Sequence, residues 1–83
     1  MIVMTLNCRG LASKAKKLAI CKLVADQSVD VLFLQETMGD GVLFAVNMEL
    51  LLSGWNFCFV DAKGKSGGLL AGWRNRFLLF LNS

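Results

Sequence analysis

Two polar residues stand where predicted strands end, and their side chains are of types that could bind a divalent cation. Asn7 follows the branched run IVMTL, and Glu36 follows the apolar stretch VLFLQ. A hard cation such as Mg²⁺ prefers oxygen ligands, often one or two carboxylates with waters and substrate phosphates. If the two strands lie near each other in one sheet, the amide and the carboxylate converge at one edge. A turn asparagine and a solvated carboxylate are the ordinary alternatives.

A glycine-rich segment later in the chain could approach a phosphate group. The glycines of GKSGGL permit positive φ and close backbone contact. Basic side chains stand in this segment, soon after it, and after the first predicted strand: Arg9, Lys63, Lys65, Arg74 and Arg76. Basic surfaces bind phosphate backbones without reading sequence. A hairpin turn and a solvated basic face are equally good readings of the same residues.

Two nucleotide-binding motifs are only partly present and are excluded. The GKS of a phosphate-binding loop needs a glycine five positions before Gly64, where the chain has Phe59. GDG begins a dinucleotide fingerprint, but Phe44 takes the place of its last glycine.

The residue patterns predict the elements that would position these side chains. Ser13 is predicted to cap a helix that ends within residues 26–30. Lys17 stands near the apolar side of this helix, and its side chain is expected to extend the amine outward to solvent. The strand at 31–35 is apolar on both faces, which is typical of a central strand covered on both sides. The other predicted elements are strands at 2–6, 55–60, 69–73 and 77–81, a helix at 42–52 and a turn at 61–68.

The composition of the 83 residues fits one domain that is part of a larger core. Hydrophobic residues make up 55% of the chain, and the mean hydropathy is +0.57. No apolar run approaches the ~20 residues that a membrane span needs, and no signal peptide is visible. A piece of a larger core should leave apolar side chains uncovered and favour self-association. The candidates are Phe77, Leu79, Phe80 and parts of 42–52.

The charge and the cysteines narrow the class of protein further. The net charge of +3 is compatible with a polyanionic partner. Three widely spaced cysteines without any histidine do not form a structural zinc site. They indicate instead three buried thiols in a reducing compartment, and therefore an intracellular protein, nuclear or cytoplasmic, that is not secreted.

Three stretches in this order and spacing resemble one family. MTLNCRGL precedes a helix, VDVLFLQET follows about twenty residues later, and GKSGGLLAGW comes after another helix. Together they resemble the opening of the endonuclease/exonuclease/phosphatase (DNase-I-like) superfamily. The stretch GWNFCFVDAKGKSGGLLAGW most resembles the endonuclease domains of plant LINE-type (non-LTR) retrotransposons.

The resemblance implies a fold, an activity and a set of site residues. The fold would be the truncated N-terminal part of a four-layer α/β sandwich, residues 1–83 being one incomplete domain. Glu36 and Asn7 match the family's catalytic, metal-binding positions for Mg²⁺ or Mn²⁺. Ser66, Gly67 and Gly68 match its glycine loop, which lies close to the site. Arg9, Lys65, Ser66 and Gly67 would contact the substrate phosphate. The implied activity is metal-dependent cleavage of DNA.

The family's later motifs, which include an aspartate–histidine pair, are not found in the chain, so we expect it to be catalytically incomplete by itself. Two other functions stay open at this point. One is a non-catalytic nucleic-acid-binding or protein-interaction module that uses the basic 63–76 segment. The other is a phosphatase of the same superfamily that acts on a lipid or nucleotide.

Overall fold

The computed structural model describes residues 1–60 and 67–75, which form four strands and two helices. In chain order they are β1 (Val3–Asn7), α1 (Lys14–Asp26), β2 (Val31–Gln35), α2 (Gly41–Leu51), β3 (Trp55–Val60) and β4 (Leu69–Arg74). The strand predicted at 77–81 and most of the turn predicted at 61–68 lie outside the described residues. The α/β class is confirmed.

The strands form one mixed sheet in the order β1-β2-β4-β3. β1 and β2 are parallel neighbours joined by α1, which makes them a strand–helix–strand crossover unit. β4 runs antiparallel to both β2 and β3. The sheet therefore places the carboxyl ends of β1 and β2 side by side, next to the beginning of β4.

Both helices begin at side chains that cap their free backbone N–H groups. Ser13 Oγ accepts the Lys16 N–H at 3.3 Å, as the sequence predicts. Asp40 Oδ1 accepts the Leu43 N–H at 3.2 Å. Because Asp40 is the cap, α2 begins at Gly41 and not at residue 42.

The core lies on one face of the sheet. Leu32, Leu34 and Leu70 from the strands pack in one cluster with Val24 of α1 and Met48 of α2. β2 is central, as predicted, but the prediction that both of its faces are covered is wrong for the described residues. Both helices pack on the same face, and the side chains of β2 that point to the other face are only half-buried or exposed.

Two predictions about individual side chains were wrong. Cys8 is buried and Cys21 is half-buried, but Cys58 is exposed on the face of the sheet without helices. Burial raises the pKa of the Cys8 and Cys21 thiols; at Cys8 the nearby Lys16 ammonium partly offsets it. Lys17 does not extend into solvent, because its amine is held between the helices by Asn47.

The outer side of α2 leaves apolar side chains uncovered, as predicted for part of 42–52. Val42, Leu43, Val46 and Leu50 are all about half exposed or more. Phe77, Leu79 and Phe80 lie outside the described residues. Neither of the two helices found in residues 1–60 and 67–75 is long and apolar enough to cross a membrane.

Candidate functional site

The carboxyl ends of β1 and β2 bring Asn7 and Glu36 together. Asn7 is the register partner of Gln35, so the residue after β2 lies beside the end of β1. The Asn7 Nδ2 group donates a hydrogen bond to Glu36 Oε2. The amide and the carboxylate thus meet at one edge of the sheet, in the arrangement that the sequence predicts.

The orientation of the Asn7 amide follows from its two partners. Its Oδ1 accepts the backbone N–H of Arg9 at 3.2 Å, while its Nδ2 faces the Glu36 carboxylate. The reverse orientation would set oxygen against carboxylate and NH₂ against N–H, which is unfavourable on both sides. In this geometry Asn7 positions Glu36. That Asn7 also binds a metal directly stays a prediction.

Glu36 itself adopts a left-handed backbone conformation, with φ of 54°. This conformation costs a non-glycine residue about 1–2 kcal/mol. The loop after β1 offsets the cost by three backbone hydrogen bonds to carbonyls of residues 35–37. They run from Cys8 to Gln35 (2.8 Å), from Gly10 to Glu36 (2.8 Å) and from Leu11 to Thr37 (2.9 Å). The turn directs the carboxylate back towards β1.

Lys16 of α1 secures the same loop from the helix side. Its ammonium donates to the carbonyls of Cys8 at 2.7 Å and Gly10 at 3.0 Å. The loop that holds Glu36 is therefore tied to a helix as well as to a strand. Sequence reasoning missed Lys16, because a lysine in the first turn of a helix gives no sign that its amine folds back onto the preceding loop.

Gly67 and Gly68 lie against the segment that follows Glu36. The Thr37 N–H donates to the Gly68 carbonyl at 3.3 Å. A Cβ added at Gly67 would stand 2.8 Å from the backbone nitrogen of Met38 and 2.9 Å from its Cα, so only glycine fits. The described end of the glycine loop is thus close to the strand ends. Ser66 and Lys65 lie outside the described residues.

The predicted basic surface is not supported at Arg74. Its Nε donates to the Val29 carbonyl at 2.8 Å and lies 3.5 Å from Asp30 Oδ1, and its guanidinium is 5.5 Å from the Trp55 ring centroid. Arg74 ends β4, roughly 17 Å along the strand from Leu69 at about 3.4 Å per residue. It therefore stabilises the opposite end of the sheet from the glycine loop.

The other predicted basic residues stand differently. Arg9 is exposed beside Asn7, at the site end of the sheet. Lys63, Lys65 and Arg76 lie outside the described residues. A contribution of Arg9 to phosphate binding stays a prediction.

The chemistry of the donors fits a weakly held hard cation and does not fit zinc. Glu36 Oε1 accepts no hydrogen bond from the part of the chain that the structure describes, so one carboxylate oxygen is available. Within residues 1–60 and 67–75, no three His, Cys, Asp or Glu side chains gather as a metal-binding group. Mg²⁺ is commonly held by one or two carboxylates with waters and phosphates, whereas structural zinc needs four sulfur or nitrogen ligands.

Comparison with known proteins shows the family to which these residues belong. The model of the Endonuclease/Exonuclease/phosphatase family matches residues 4–81. This match includes both strand ends, Glu36 and the glycine loop. The search of curated proteins found no match to the chain.

Proposed function

We propose that this chain, which belongs to the endonuclease/exonuclease/phosphatase family, forms the metal-binding part of a divalent-metal-dependent DNA endonuclease. The observation that carries the proposal is the hydrogen bond from Asn7 to Glu36 at the adjoining ends of two parallel strands. Polar groups at the carboxyl ends of strands are where α/β proteins commonly bind their ligands.

Each residue of the site has a distinct part in this function. Glu36 would hold Mg²⁺ or Mn²⁺, which when bound supplies positive charge to the oxygens of the scissile phosphate. Asn7 keeps the carboxylate in one orientation. Gly67 and Gly68 hold the end of the glycine loop against residues 37 and 38, next to Glu36, and Arg9 adds positive charge at the same end of the sheet.

Within residues 1–60 and 67–75, no side chain is placed to act as the general base for water attack. The chain contains no histidine among its 83 residues. Four of its six acidic residues make structural contacts: Asp26 with Lys22, Asp30 with Arg74, Asp40 with the start of α2, and Glu49 with the Phe57 N–H. Glu36 is the proposed metal ligand, and Asp61 lies outside the described residues. We therefore infer that the base is not among the residues that the structure describes.

Binding of Mn²⁺ tests the metal site without requiring activity. Electron paramagnetic resonance should detect Mn²⁺ binding with a dissociation constant on the order of millimolar, because the site has a single charged ligand. Glu36→Gln should abolish this binding, and Asn7→Ala should weaken it by releasing the carboxylate. Glu49→Gln is the matched control, since an amide oxygen can still accept the Phe57 N–H. Mn²⁺ binding that survives in Glu36→Gln would refute the site.

Cleavage of supercoiled plasmid tests whether the site is complete. We expect no nicking by the purified chain with saturating Mg²⁺ or Mn²⁺, because general acid–base assistance is worth about 10²–10⁴ in rate. Nicking that a Glu36→Ala variant abolishes would mean that a working site exists within the chain. That result would leave the metal site intact and overturn only the inference that the base lies elsewhere.

We further propose that the endonuclease is of LINE-retrotransposon type, with DNA as its substrate and an intracellular, nuclear or cytoplasmic, location. The proposal is supported by the resemblance of residues 54–73 to that group. A fusion to the C-terminal part of an active family endonuclease tests it. We expect the fusion to cleave DNA; hydrolysis of a phosphorylated lipid or nucleotide instead would favour the phosphatase alternative.

A further inference from the structure

A groove lies between the two helices, on the side of the molecule that carries the core. It has a volume of about 260 Å³ and is lined by Lys14, Lys17, Asn47, Leu50 and Leu51. Asn7 and Glu36 lie instead at the strand ends, and none of the residues of that site lines the groove. The family resemblance assigns no role to the groove.

The groove contains a buried lysine whose described partners are all neutral. Lys17 is only 8% exposed. Its ammonium donates to Asn47 Oδ1 at 2.7 Å and lies 5.4 Å from the centre of the Phe44 ring. Within residues 1–60 and 67–75, the ion pairs are made by Lys22 and Arg74, and Lys17 makes none. Because lysine is rarely buried unless paired with an opposite charge, this groove is suited to an anionic ligand.

Lys14 adds a second positive charge one helical turn before Lys17. It is exposed and lines the same groove. A carboxylate in the groove would be attracted by both ammonium groups. The attraction would be strongest near Lys17, where solvent screens least.

An apolar stripe on α2 continues the groove. Val42, Val46 and Leu50 are 57%, 48% and 79% exposed, and they follow one another at intervals of four residues. Residues at this spacing lie on one side of a helix. Leu43, which is 54% exposed, widens the stripe. Such a contiguous apolar surface next to buried charge is typical of an interaction site.

We propose that the groove and the stripe bind an acidic amphipathic helix of a partner protein. The groove is smaller than the roughly 300–1,000 Å³ of small-molecule pockets, so it suits an anchoring side chain better than a whole ligand. A helix with apolar residues three or four apart would cover the stripe and place an Asp or Glu near Lys17.

A second copy of this chain is the less suitable occupant. A two-fold contact uses the same surface on both molecules. The interface would therefore contain Lys14 and Lys17 of both copies, while the described residues that line the groove supply no carboxylate to pair with them, and an excess of like charge in an interface is unfavourable.

A designed peptide of about 15 residues, the length at which isolated helices become marginally stable, is the probe. It carries leucines at the helical spacing and flanking glutamates, and a control peptide carries lysines in place of the glutamates. Fluorescence anisotropy with the full chain should show that only the acidic peptide binds, with an affinity that falls as salt is added. Leu50→Ser and Lys14→Glu should each weaken binding about tenfold.

Variants away from the groove provide matched controls. Val3→Ser removes an apolar side chain that is 52% exposed on the strand-only face, and Lys22→Glu reverses a charge on α1 outside the groove. Both should leave binding unchanged. The groove positions Leu50 and Lys14 are exposed, so circular dichroism should show all four variants folded like the wild type.

Several results would overturn the proposal. The acidic peptide could fail to bind, both peptides could bind equally, or Leu50→Ser and Lys14→Glu could bind the peptide as tightly as the control variants do. Binding of the chain to anionic phospholipid vesicles but not to the peptide would assign the surface to a membrane. Self-association that Leu50→Ser abolishes would assign it to a second copy.

Discussion

The left-handed backbone at Glu36 allows a comparison in which glycine should be better than alanine. Glu36→Gly and Glu36→Ala both remove the carboxylate and its bond to Asn7. They differ in the Cβ atom, which at φ of 54° lies close to the following carbonyl oxygen. The difference in stability between the two variants therefore reports how well each residue suits this backbone conformation, without a contribution from the carboxylate.

The expected magnitude follows from two opposing terms. Alanine at this φ costs about 1–2 kcal/mol relative to an unstrained conformation. Glycine loses more conformational entropy on folding, which costs roughly 0.5–1 kcal/mol relative to alanine. The free energy of unfolding should thus be higher for Glu36→Gly than for Glu36→Ala by about 1 kcal/mol. In a chain of this size that corresponds to roughly 4–8 °C in the melting temperature.

Urea unfolding followed by circular dichroism measures the difference. Ala19→Gly is the control, because Ala19 is an exposed position within α1, where glycine should cost about 1 kcal/mol. The same exchange of alanine and glycine should therefore have opposite signs at positions 36 and 19. If Glu36→Gly were less stable than Glu36→Ala, residue 36 would not be left-handed and the account of how its carboxylate is aimed would be wrong.

Three further predictions concern the loop, the helix cap and the thiols. Gly67→Ala should lower the free energy of unfolding by about 1–3 kcal/mol. Adding Met38→Ala should not restore the stability, because the added Cβ at position 67 contacts the backbone of Met38, and a double variant as stable as Met38→Ala alone would contradict this. Ser13→Ala should cost about 1 kcal/mol in urea unfolding by removing the cap of α1, so an unchanged midpoint would count against the cap. Since burial raises the folded-state pKa of the Cys8 thiol above its ordinary value of 9.0, its contribution to stability is complete below pH 9 and is lost as the pH rises further. The melting temperature of Cys8→Ala should therefore fall less above pH 9 than that of the wild type, and a thiol reagent should modify exposed Cys58 before Cys8. Melting temperatures that fall equally in both proteins, or a Cys8 that reacts first, would contradict the burial of Cys8.

The local elements could be predicted from the sequence because their signals lie within a few residues. The runs at 31–35 and 55–60 became β2 and β3 with the predicted bounds. Ser13 caps α1 because a hydroxyl reaches an N–H three residues on, a contact that depends only on local geometry. The start of α2 was missed by one residue, since Asp40 could equally have belonged to the preceding loop.

The convergence of Asn7 and Glu36 was predictable only in part. Two strands that each end in a polar residue suggest a site, and the family resemblance singles out these two positions. The sequence left open whether the strands pair directly. The parallel register of β1 and β2 decided this, and it brought together two side chains 29 residues apart.

The tertiary structure alone decided which partners the charged side chains have. Lys17 bonds to Asn47, and Arg74 bonds to the Val29 carbonyl 45 residues away. Such contacts depend on which helix faces pack together and which strand ends lie side by side. The spacing of neighbouring residues in the sequence determines neither. For the same reason the sequence correctly predicted that β2 is apolar and central but wrongly predicted that both of its faces are covered. An alternating or continuous apolar pattern indicates that side chains of a strand must be buried. The path of the whole chain determines which elements bury them.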